Sequence, residues 1–241
     1  MTAAIALAMM LAGAVGAQET GTLVKGRTPS APLMSAVPAR ETVRTETVQA
    51  AAAPEALAAA RSLAACAVRR DGVRAGRLLA AGDAASFAAA SSALASTMSN
   101  CAGSALAPNV SAGSFRMTNR SLVKLLSEAD LVGDKPPSLT VADAAATLPD
   151  RPWLGEDLGA RETDLLATCL VNVQPEWTSY LAVTRPGSPE EAKGWAQVAP
   201  RINECLTKNV TLKTNKSQLR LAIADVVYRR AHGAVPVKAA N

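Results

Sequence analysis

The sequence is poor in aromatic residues, contains one histidine and has no long apolar run beyond its amino terminus, and each shortage narrows what the chain can be. Aromatics make up 3% of the 241 residues. A β-sandwich rich in aromatic and β-branched side chains is therefore a poor fit, and closely packed helices cored by Ala, Leu and Val are the better one. With His232 the sole histidine, next to Gly233 near the carboxyl terminus, any Ser-His or Cys-His mechanism has one residue to draw on. A solvated helix end is its simpler role. The four cysteines, Cys66, Cys101, Cys169 and Cys205, form no C-x-x-C pair, and no H-x-x-x-H occurs. Structural zinc sites use such close pairs, and thioredoxin-like redox centres need C-x-x-C. A glycine-rich phosphate loop is also missing, so no metal or cofactor is expected.

The charge of +5 and pI near 9.2 are spread along the chain and do not single out an acidic partner. Nucleic acid is not expected as a ligand. The two adjacent basic pairs, Arg69-Arg70 and Arg229-Arg230, each fall near the end of a predicted helix, where cations offset the negative end of the dipole.

What is present begins with an export pattern. Residues 1–17 combine an apolar run from Ala3 to Val15 with the small-residue step Val15-Gly16-Ala17; the run is too short to span a bilayer and reads as a secretory signal cleaved before Gln18. The absence of Lys or Arg ahead of the run argues against that reading. No later run is long and apolar enough to cross a membrane, so the mature chain is expected to carry no transmembrane segment.

A second pattern repeats. Leu63-Ala64-Ala65-Cys66 matches Leu166-Ala167-Thr168-Cys169, and Cys101 and Cys205 follow 35 and 36 residues later. Asn109-Val110-Ser111 then matches Asn209-Val210-Thr211, and Thr118-Asn119-Arg120-Ser121 matches Thr214-Asn215-Lys216-Ser217, each leading into an apolar helical pattern. The expected fold is all-α: two tandem pseudo-repeats of about four helices each, stapled by disulfides, with room for a minor strand pair of Phe115–Thr118 beside Thr211–Thr214. The organisation reads as a signal peptide (1–17), a flexible leader (18–50), helical repeat 1 (51–132), a connector (133–160), helical repeat 2 (161–234) and a tail (235–241). Of the three pairings open to four cysteines, Cys66–Cys101 and Cys169–Cys205 close each repeat on itself, and export supplies the oxidising compartment.

Local signals place the helices. Pro54 suits a first turn, Asp71-Gly72 marks a stop, Val73 to Ala81 forms a short helix, and Asp83 caps a long one whose stripe is Phe87, Ala90, Leu94, Met98 and Cys101. Leu122, Leu125, Leu126 and Ala129 define the helix that closes the first half. In the second half, Leu166, Cys169, Leu170 and Val173 share a face, and Pro175 opens a short helix. Ser188-Pro189-Glu190-Glu191 starts another, with Glu191 expected to bond back to the Ser188 amide. Pro200 should bend that helix, and Leu219, Ala222, Ile223, Val226 and Val227 mark the last. Trp177, Tyr180, Trp195 and Tyr228 all lie in the second half, which should therefore have the larger core.

Candidate chemistry is sparse. Ser121-Leu122-Val123-Lys124 has the S-x-x-K spacing that puts a lysine amine beside a nucleophilic hydroxyl in serine β-lactamases and penicillin-binding proteins. The companion S-D-N and K-T-G motifs of those enzymes are missing, Lys213-Thr214-Asn215 being only an imperfect K-T-G. The second copy carries Arg220 where a base is needed, and arginine stays protonated. An exposed basic residue at a helix start accounts for both copies. Glu190 and Glu191 point about 100° apart on a helix and do not converge on one substrate. The Asn-x-Ser/Thr sequences at Asn109, Asn119, Asn209 and Asn215 read as loop and turn residues. The expectation is an exported, periplasmic or extracellular, non-enzymatic module that binds or supports an unidentified envelope or extracellular partner. The alternative is an exported hydrolase using Ser121 or His232.

Overall fold

In the computed structural model residues 54–105, 117–140, 148–155, 158–206 and 214–233 are described. Among them the chain is helical and contains no strand. The signal and leader, Asn109 and Asn209, and most of the expected strand pair lie outside the described residues. The helices are α1 (Pro54–Leu79), α2 (Ala84–Ala105), α3 (Asn119–Leu131), α4 (Leu158–Val173), α5 (Pro175–Val183), α6 (Pro189–Val198), α7 (Ile202–Cys205) and α8 (Lys216–Ala231). None is long and apolar enough to cross a membrane.

Each boundary has a local cause. α1 passes the expected stop without ending, but Asp71 takes non-helical angles (φ −152°, ψ 62°) and kinks it. Asp71 Oδ1 accepts from the Arg74 amide at 3.2 Å, so this residue caps the segment that follows. Arg69 and Arg70 thus precede a kink rather than a terminus, and both are exposed. Asp83 accepts from the Ser86 amide at 2.7 Å to open α2. Thr118 and Asn215 cap α3 and α8, accepting from Ser121 and Gln218 respectively. The matched Thr-Asn-basic-Ser steps therefore cap with different residues, one position apart. Pro200 ends α6 at Val198; a 3-10 turn (Ala199–Arg201) intervenes before α7, because proline has no N–H to continue the ladder.

Gln174, between α4 and α5, has φ −140° and ψ 56°, close to the angles of Asp71. Both residues stand five positions after the first cysteine of their half. The disulfides join Cys66 to Cys101 and Cys169 to Cys205, each with a Cα–Cα distance of 5.7 Å. The first ties α1 to α2; the second ties α4 to the short α7.

α1 packs on α2 and α3, and α8 packs on α3, α4 and α5. α3 and α8 are thus the central pair, with further helices on either side. Their sequences behave accordingly: every residue from Leu122 to Glu128 and from Leu219 to Tyr228 is buried. A helix covered all round has no solvent face on which to place its charges. Trp195 and Tyr228 lie in the core, while Trp177 and Tyr180 are half-buried and meet edge to face at 5.7 Å. α6 approaches α5 closely at Gly194, where a Cβ would stand 3.1 Å from Leu181 Cδ1.

Candidate functional site

The central helices carry charge into the core, and there the polar chemistry of this chain is concentrated. α3 contributes Glu128, which is 2% exposed, and α8 contributes Arg220, which is 1% exposed. Arg220 Nε donates to Glu128 Oε1 at 2.6 Å. From the far side Arg61 of α1 donates to the same carboxylate, Nε to Oε2 at 2.7 Å and Nη2 to Oε1 at 3.2 Å. One carboxylate therefore links three helices.

The remaining donors of Arg220 are used on the α5 end. Nη1 donates to the Leu181 carbonyl at 2.8 Å and to Thr184 Oγ1 at 3.2 Å, and Nη2 donates to the Thr184 carbonyl. These oxygens lie at the end of α5, where helical carbonyls lack partners of their own. Glu191 Oε1 stands 3.6 Å from Nη1, brought there by the close approach of α6 to α5 at Gly194. The two arginines and two glutamates sum to zero charge, and a planar guanidinium with its donors satisfied is the form in which a cation tolerates burial.

Glu191 departs from the expected capping box. Ser188 does cap, accepting from the Glu191 amide at 3.1 Å. The Glu191 carboxylate instead accepts from the Gly187 amide at 2.6 Å and from the Trp195 indole at 3.2 Å. Gly187 has φ +80°, which turns its N–H towards the carboxylate at no Cβ cost. Desolvation alone would raise the Glu191 carboxyl; the Gly187 amide, the indole, Arg220 and Lys216 outweigh it and hold it below its ordinary 4.5. A depressed carboxyl contributes stability that is present above its unfolded value and lost as pH falls through its folded value. Glu191→Gln should therefore give a shallower loss of stability below about pH 4.5 than the parent, read by urea unfolding across pH 2–7. Parallel curves would show that Glu191 is not part of the acid response.

Two smaller clusters extend the network. Asp225 of α8 accepts from Ser127 of α3 at 3.2 Å and pairs with Arg151 of the connector. Arg229 donates to the Pro149 carbonyl and Arg120 to the Gly155 carbonyl, so the segment around the 3-10 turn Pro152–Leu154 is strapped at both ends. Asp164 of α4 receives Arg120 at 2.7 Å and Lys124 Nζ at 2.5 Å.

Lys124 and Arg220, expected as exposed basic residues, are thus both buried. The reason is that carboxylates from other helices meet them and the covering helices exclude water. Lys124 is engaged by Asp164, and Ser121 Oγ accepts from Thr118 at 2.9 Å. His232 caps the end of α8 and stacks on Tyr228 at 4.1 Å, its Nδ1 lying 2.9 Å from the Tyr228 carbonyl. The hydrogen bonds of Ser121 thus run to Thr118 at the start of α3, and that of His232 to Tyr228 at the end of α8. Burial pushes Asp130 up, while His232 draws it down. Burial, reinforced by Asp130 and Asp225, pushes the Tyr228 hydroxyl up to about 12.

Arg61, Glu128, Arg151, Glu191 and Asp225 were not singled out from sequence for this role. One signal was there: Arg220 and Asp225 interrupt Leu219 to Val227, a stretch apolar on every side of a helix, so its charges had to be buried with partners. No group of three or more potential metal-binding side chains occurs among the described residues. No protein-family model, curated protein or solved structure matches this chain.

Proposed function

We propose that this chain is an exported, non-enzymatic helical module that works by presenting a rigid surface to a partner in the periplasm or cell envelope. The observation that carries the reading is the commitment of the central charged side chains to one another: Arg61, Glu128, Arg220, Glu191 and Thr184 join five helical segments, and Ser121, Lys124 and His232 have structural partners. Such a network holds helices in register and leaves little to converge on a substrate. Two disulfides and the lack of a membrane-crossing helix among the described residues are compatible with export.

The scaffold itself reads as a duplication. Support comes from the common order of opening helix, break, disulfide and capped closing helix, and from the break falling five residues after Cys66 and Cys169 with nearly the same backbone angles. The pairing of α3 with α8 at the centre is the arrangement two such units make when their closing helices meet.

Expression in a bacterial host with cell fractionation tests the reading. The expected product lies outside the cytoplasm, starts near Gln18 by intact mass and carries both disulfides. Cross-linking in envelope extract should capture the same partner with the parent, Ser121→Ala and His232→Ala. A cytoplasmic product still starting at Met1 would remove the export, and hydrolysis of an ester, amide or glycoside lost in Ser121→Ala or His232→Ala would replace the module with a hydrolase.

A further inference from the structure

The two disulfides differ in setting. Cys66 and Cys101 are 6% and 0% exposed, sealed between α1 and α2. Cys169 and Cys205 are both partly exposed. Leu165 and Val173, 62% and 45% exposed, lie one turn before and one turn after Cys169 on α4, and side chains four apart share a helix face. They are two of the three large apolar side chains that stand exposed among the described residues. The partly exposed Cys169 thus has an exposed apolar side chain one turn to either side.

α7 is what this disulfide holds. Four residues are too few for a helix to persist alone, and α7 follows the 3-10 turn at Pro200, is joined to α4 by the Cys169–Cys205 bond, and is flanked by the half-buried Ile202 and Leu206, which pack against the core. The Arg201–Glu204 pair at 2.6 Å is exposed and lies within the same segment, so it does not fasten α7 to α4.

We infer that the Leu165–Cys169–Val173 face of α4 is a docking and exchange surface for a protein dithiol, which reduces Cys169–Cys205 and releases α7 while Cys66–Cys101 stays intact. The partner's thiolate attacks one sulfur of the pair, the S–S bond breaks, and a mixed disulfide forms as the other cysteine leaves as a thiolate and takes up a proton. The partner's second thiol then attacks the mixed disulfide, and the second cysteine leaves in turn. Two electrons and two protons pass to this chain and the partner ends as a disulfide. The flanking apolar side chains select a protein with an apolar surface around its nucleophilic cysteine over a small charged thiol, since burying Leu165 and Val173 favours only a partner large enough to cover them.

The test uses the oxidised mature chain. Under graded dithiothreitol with quenching by an alkylating reagent, Cys169 and Cys205 are expected to be labelled at least about tenfold faster than Cys66 and Cys101. A reduced thioredoxin whose resolving cysteine is replaced by serine should be trapped as a mixed disulfide on Cys169 or Cys205. Leu165→Glu with Val173→Glu, both at exposed positions, should lower that trapping about tenfold and leave the dithiothreitol rate unchanged. Hydrogen exchange after selective reduction should rise in residues 199–206 and not in α1 or α2. Equal labelling of all four cysteines, or trapping on Cys66 or Cys101, would overturn the selective exchange. Trapping indifferent to the two glutamates, or reduced glutathione acting as fast as thioredoxin, would overturn the docking surface.

Discussion

Replacing Arg220 by methionine is expected to cost about 3–5 kcal/mol of stability, because it leaves a buried carboxylate with fewer partners and a buried carbonyl without its donor. The change nearly conserves volume, so the loss does not come from a cavity. It comes from Glu128, left with Arg61 alone, from Glu191, left with Lys216 as its remaining cation, and from the buried Thr184 carbonyl, which loses its donor, while the Leu181 carbonyl keeps the Thr184 hydroxyl. Urea unfolding measures it as a drop in midpoint at constant m. Adding Glu128→Leu should restore part of the loss, since an uncompensated carboxylate is then removed and Arg61, 21% exposed in its side chain, can turn to water. The pair of changes should miss additivity by roughly 1–3 kcal/mol. A single-variant loss below about 1 kcal/mol, or strict additivity, would show that the network contributes no more than surface ion pairs do.

Removing the Cys66–Cys101 bond as Cys66→Ala/Cys101→Ala should cost about 4 kcal/mol by the loop-entropy relation for a 35-residue separation. The matched change at Cys169 and Cys205 opens a loop of 36-residue separation, so its loop term is nearly the same. It should nevertheless cost less. The first pair lies in the core and leaves a void between α1 and α2, whereas the second borders solvent, and the α7 segment it holds gains freedom in the native state when let go. Thermal and urea unfolding of the two double variants give the comparison; equal losses, or a larger one at Cys169–Cys205, would contradict the difference in burial.

The sequence was most legible where structure depends on neighbours within a turn or two. Pro54, Asp83, Ser188 and Pro175 start helices at the expected places, since a cap acts on its own turn whatever lies beyond, whereas Pro200, expected to bend a continuing helix, ends it at Val198. Asp71 shows the margin: a stop was visible, but the structure bends the helix there instead of ending it. Glu191 shows the same limit, since a positive-φ glycine one residue before Ser188 and an indole one turn on compete for its carboxylate.

The charged core belongs to tertiary structure. Lys124 and Arg220 resemble any basic residue near a helix start, and Glu128 and Asp225 resemble solvated carboxylates. Their partners are remote: Arg61 and Glu128 are 67 residues apart, Arg220 and Glu128 are 92, and Ser127 and Asp225 are 98. Whether a charge faces water or an opposite charge depends on which helices cover it, and periodicity along one helix does not report that. Local sequence sets where each helix begins and which cysteines recur at matched intervals. The meeting of α1, α3, α5, α6 and α8 decides that their charges are buried, because only packed helices bring groups so distant in the chain close enough to replace the water each one loses.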